Sequence, residues 1–240
     1  MKKGTCQLCG DTRDLIKAHI IPRTIFSKTR GLGAPPQFLT SWEGNQGNKS
    51  EGFIDKSILC GDCDNSFSDA ENYLGEYLHR NHTAASQAHN GVTAFIDEAY
   101  DYGKLKLAVL VTLWRAEISS NEAFCDVYME KEEKEKLRKM LVKGEVGSAG
   151  CFPVVISRWK SEEKFEPVCR QTVMEPRVIN NSYCETSFLG WKILICIKEN
   201  AGDNVLFENA ISKDKLIAID QAFETSDFFK RLVELSLNSN

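Results

Sequence analysis

With 240 residues, 42% of them hydrophobic and 27% charged, the chain has an ordinary globular composition, long enough for one large domain or a small module joined to a body. Thirty Lys and Arg against thirty-four Asp and Glu leave a formal charge of −4, which excludes a chain that coats nucleic acid by bulk basic charge. No apolar run approaches the ~20 residues that cross a bilayer, and the opening MKKGTCQLCGDTRDL lacks the apolar stretch of a signal peptide, so a cytoplasmic protein is expected.

In chain order, Cys6-Gln7-Leu8-Cys9 comes first, and its counterpart Cys60-Gly61-Asp62-Cys63 follows fifty residues after Cys9. In a reducing compartment paired CxxC units favour metal sites over disulfides, and two such knuckles supply the four thiolates of a closed tetrahedral zinc site. The other five cysteines, Cys125, Cys151, Cys169, Cys184 and Cys196, stand singly and read as small buried hydrophobes. Between the knuckles, residues 18–21 read as a strand closed by Pro22, and 28–52 carries the Gly and Pro content of a loop. Residues 64–80 read as one helix, because Phe67, Ala70, Tyr73, Leu74 and Leu78 fall on one stripe, with Gly75 as the interior weak point. His79, His82 and His89 lack a carboxylate or thiol arranged around them and read as exposed polar residues.

Further on, 104–118 is apolar on nearly every face and predicts a buried helix. Residues 131–142 predict a charged, solvated helix capped by Gly144. Strands are expected at 153–159, 169–174, 187–197 and 204–207, and a closing helix at 226–237. The fold class is therefore α+β, with a zinc-stabilised module over residues 1–83 and a mixed body over 84–240. The module is charge-neutral, ten cations against ten acids, and the body is acidic, twenty against twenty-four. No Walker loop, GxGxxG or zinc deaminase signature occurs.

The order Cys6-x2-Cys9, Ala18-His19-Ile20-Ile21-Pro22 and Leu59-Cys60-x2-Cys63-Asp64-Asn65 resembles the HNH, or His-Me finger, nucleases in their zinc-containing form. The likeness spans residues 6–82. The run from Cys60 to Tyr77, with its Cys63-Asp64-Asn65-x-Phe67-Ser68-x-x-Glu71 pattern, together with Leu113-Trp114-Arg115, resembles a branch of bacterial HNH-like proteins. The resemblance implies a ββα finger with His19 as general base at the end of its first strand, and Asp64 as ligand of a catalytic Mg2+ or Mn2+. It implies that Asn65 and Glu71 assist that cation, and that Asn48, or its neighbour Asn45, orients the histidine. It further implies phosphodiester hydrolysis in nucleic acid, with DNA as the expected substrate, and work beside a partner such as an ATPase in anti-phage defence. Ala18 departs from the pattern, since many members carry an Asp or His there as a second metal ligand. The alternative reading is a zinc-stabilised nucleic-acid or protein binding module without catalysis. For Asp64, capping the 64–80 helix is a sufficient role by itself.

Overall fold

A computed structural model describes residues 2–33, 37–39, 52–198 and 208–238, and they form an α+β fold. Strands β1 (Lys2–Thr5) and β2 (Thr12–Leu15) pair antiparallel and carry the first knuckle in their turn. Strand β3 (Ala18–His19) is followed by Ile20, Ile21 and Pro22, which takes the N-cap position of α1 (Arg23–Arg30). Next come β4 (Gln37–Leu39), β5 (Ile54–Asp55), α2 (Gly61–Asn65) and α3 (Ser68–Asn81). The single helix expected over 64–80 is thus two pieces separated at Ser66 and Phe67. Helix α2 starts on Cys60 rather than on Asp64, whose N–H donates to the Cys60 carbonyl at 3.0 Å. Asp64 therefore sits inside α2 and caps nothing. Gly75 has a positive reason: a Cβ there would lie 2.8 Å from Thr24 Oγ1, so only glycine lets α1 pack this closely on α3.

The remaining elements are β6 (Gln87–His89), β7 (Val92–Asp97), α4 (Tyr102–Ile118), α5 (Lys131–Lys143), β8 (Val154–Lys160), α6 (Glu166–Gln171), β9 (Thr172–Ile179), β10 (Tyr183–Phe188), β11 (Trp191–Cys196), β12 (Leu216–Ala222) and α7 (Asp227–Asn238). Eight strands form one mixed sheet in the order β4-β9-β10-β11-β8-β12-β7-β6. Within it β4 runs parallel to β9 and β8 parallel to β12, while the other neighbours are antiparallel.

Helices α4 and α5 lie where the sequence places them. Asp101 caps α4 by accepting from the Lys104 N–H at 2.9 Å, and α5 stops on Gly144 at φ +68°. Two expected strands change. The first half of 169–174 is α6, because Pro167 in its first turn favours a helix start and Cys169 turns into an apolar cluster. The run 187–197 is broken by a two-residue turn at Leu189 and Gly190, both at positive φ, into the antiparallel pair β10 and β11. The expected strand at 204–207 lies outside the described residues.

One core runs from the knuckles through α4 to the sheet, and includes Cys6, Ile20, Phe26, Leu59, Phe67, Leu74, Leu110, Trp114, Ile156 and Trp191. It passes position 83 without a break. Helix α4, apolar on nearly every face, packs against α3, α5 and β9. Its one buried lysine, Lys106, is satisfied by Tyr102 Oη at 3.1 Å and by the carbonyls of Ser148 and Cys151, both at 2.7 Å. Burial brings that ammonium down to about 8. A second cluster, around Trp159, Met174, Phe223 and Phe228, lies beneath α7. No described helix is long and apolar enough to cross a membrane.

Candidate metal centre and the adjoining carboxylates

The Sγ atoms of Cys6, Cys9, Cys60 and Cys63 all lie within 4.8 Å of one another. A tetrahedral zinc with Zn–S bonds of about 2.3 Å separates its sulfurs by about 3.8 Å, so the donor set fits the ion. The backbone builds the site. Gly10, at φ +81°, closes the first knuckle by donating to the Cys6 carbonyl at 2.9 Å. The knuckles are stitched together by Gln7 N–H to Ile58 O at 2.9 Å, Ile16 N–H to Leu59 O at 3.0 Å and Cys60 N–H to Cys6 Sγ at 3.5 Å. Burial opposes ionisation of Cys6, yet N–H groups of Cys60, Cys9 and Leu8 bring its thiol down to about 7. Burial and the neighbouring thiols push Cys63 well above the usual range. Four thiolates this close can ionise together only around a cation. With four protein ligands such a centre is closed and holds structure.

Next to this centre lie the other residues singled out from the sequence. His19 is half-buried on β3, which pairs with β5 through Ala18 opposite Asp55 and His19 opposite Ile54. Asp64 and Glu71 converge on a residue of α4, Arg115, whose side chain is 1% exposed. Its Nη2 donates to Asp64 Oδ1 at 2.8 Å, and its Nη1 donates to the His19 carbonyl at 2.9 Å and to Glu71 Oε1. The guanidinium lies over the Phe67 ring, 5.7 Å from its centroid. Asp64 remains 21% exposed and Glu71 15%. Burial holds the Glu71 carboxyl above its usual range, with the Asp64 charge adding to it and Arg115 opposing.

The structure therefore brings the His19 main-chain carbonyl and the side chains of Asp64 and Glu71 onto one guanidinium, and it engages both carboxylates with that arginine rather than leaving them open to a cation. Asn65 is exposed at the end of α2 and is not brought into this group. Asn45 and Asn48 lie outside the described residues. Ala18 is fully buried, so nothing at that position supplies the second ligand common in the resembling family. Among the described residues the four cysteines are the only cluster of three or more metal-ligating side chains.

Two further groups escaped the sequence reading. Asp55, buried on β5, accepts from Ser57 N–H at 2.8 Å, Ser119 Oγ at 2.9 Å and Ser120 N–H at 2.9 Å, pinning β5 to the end of α4. Burial works against its ionisation, but those hydrogen bonds keep its carboxyl below the usual range. Arg158, also fully buried, donates to the carbonyls of Asn81, His82 and Ala84 at the end of α3 and pairs with Asp220 at 2.8 Å. A cation inside an apolar strand or helix was the available signal for Arg115 and Arg158. The histidine expectation changes too. His82 is 5% exposed beneath Gly190, and His79 is half-buried beside Arg170 at 3.5 Å, so neither is an exposed polar residue. Cys125 is exposed and Cys151 half-buried, whereas Cys169, Cys184 and Cys196 are buried as expected.

No family model, curated protein or solved structure matches the chain.

Proposed function

We propose that residues 6–82 form a zinc-stapled ββα finger of the HNH type, and that the chain hydrolyses phosphodiester bonds in nucleic acid. One observation carries the reading: the strand bearing His19 and the helix bearing Asp64, which leads directly out of the second knuckle, both lie within the span of the Arg115 guanidinium. In this reading His19 takes a proton from the attacking water, a task suited to an imidazole. Asp64, whose arginine contact engages Oδ1, would hold Mg2+ or Mn2+. Such a cation, when bound, supplies positive charge for the phosphate and the leaving oxygen. Glu71 serves as the second anionic partner of Arg115. The part beyond residue 83 positions substrate or docks a partner such as an ATPase, and a place in anti-phage defence belongs to the same proposal.

The binding-module reading is favoured by a different observation, that Arg115 already pairs with both carboxylates. Incubating zinc-loaded protein with supercoiled plasmid and with single-stranded RNA, in Mg2+ or Mn2+, separates the two. Hydrolysis is expected from wild type and should fall about 10² to 10⁴-fold in His19→Ala. Binding without cleavage under every cation would decide for the module.

A further inference from the structure

We propose that Arg115, a residue of α4 outside the finger, is the positioning residue of the hydrolytic site, an inference that rests on the function proposed above. Its guanidinium touches three elements at once: the backbone carbonyl of His19 on β3 at 2.9 Å, Asp64 on α2 at 2.8 Å, and Glu71 on α3. Neutralising a carboxylate needs one such contact. Joining the carbonyl of the base-bearing residue to the candidate metal ligand needs the planar fork of an arginine, because an ammonium is a point charge that cannot match the bridge. The fork is itself held, with its side chain almost fully buried and its plane over Phe67. Two carboxylates around one guanidinium leave the group net negative, so the arginine orders the site without reversing its attraction for a divalent cation. Since His19 and Asp64 belong to separate short elements, a shift of this guanidinium changes the distance between base and cation. Misplacement of reacting groups by about 1 Å costs on the order of 10²-fold in rate.

The test is steady-state cleavage by zinc-loaded wild type and Arg115→Lys, read alongside zinc content, melting temperature and nucleic-acid affinity. The lysine keeps the charge and loses the bridge. The expected result is a fall in kcat of about 10²-fold, with KM, affinity and zinc content unchanged. If kcat is also unchanged while wild type cleaves, the positioning role is overturned and the hydrolytic reading stands. A parallel fall in kcat, zinc content and affinity makes Arg115 a fold residue only and likewise overturns it. A wild type that cleaves nothing under either cation removes the hydrolytic reading, and this role with it. Should Arg115→Lys fail to fold, Phe67→Leu takes its place: it removes the ring beneath the guanidinium and leaves the ion pairs, and an unchanged kcat there overturns the proposal.

Discussion

His82 gives the most direct test of the packing. It lies beneath the β10–β11 turn, and among the described residues neither ring nitrogen has a hydrogen-bond partner of good geometry. Burial first, and then the cations Arg170, Lys160 and Arg158 around it, lower its pKa from 6.5 to about 3, against a small opposing influence of the Trp159 backbone. The folded-state value lies below the unfolded one. Between these values the unfolded chain binds a proton that the folded chain does not, so stability falls as pH drops through 6.5 and continues to fall towards 3. From pH 7 to pH 5 the linkage amounts to about 2 kcal/mol. The assay is urea unfolding across that range with zinc in excess, comparing wild type with His82→Gln, which cannot titrate and shares every other ionisable group. Wild type should lose about 2 kcal/mol more than the variant between pH 7 and pH 5. Parallel pH profiles would refute the burial argument, and a larger loss in the variant would reverse it.

Metal analysis of purified protein should find about one zinc per chain; Cys60→Ser should lower zinc content and stability together, and Cys151→Ser should leave zinc unchanged. Full folding after chelation, followed by circular dichroism, would contradict the assignment. Arg158→Met leaves Asp220 buried without its cation and should cost about 3 to 5 kcal/mol in denaturant unfolding. Adding Asp220→Asn should recover part of that loss, and a strictly additive double mutant would disprove the coupling. Gly190→Ala places a Cβ 2.2 Å from His82 Nε2 at a residue with φ +79°, so a loss of about 2 kcal/mol or more is expected by thermal melting.

The four-cysteine cluster was legible because a CxxC knuckle is local: four residues set the direction of two thiols, and the second pair needed only to arrive. Helices α4 and α5 were legible for a similar reason, since the all-round apolar run of the one and the charged face and Gly144 stop of the other are set within a turn or two. The hairpin of β6 and β7 carried its own signal in Asn90 and Gly91, both at positive φ, but its flanks Gln87–His89 are too polar to read as a strand. Arg115 could be noticed as an odd cation in an apolar helix, yet its partner Asp64 is 51 residues away and no periodicity encodes that meeting. Asp55 and Arg158 escaped for the same reason, their partners lying 64 and 62 residues off. The expected 64–80 helix is two helices because its apolar stripe continues through Phe67, where the backbone departs from the helix between α2 and α3.

Helix α3 is gripped at both ends by arginines supplied from later in the chain. Arg115 takes Glu71 in its first turn, and Arg158 takes the carbonyls left open at its last turn. A fragment ending at residue 83 would lose both at once: Asp64 and Glu71 would face each other without a counter-ion, and the end of α3 would have to find water. Zinc could still fasten the knuckles of such a fragment, but the helix behind them would fray from its far end. The two-knuckle region and the sheet should accordingly melt in one transition, and a protease should find no early cut near residue 83.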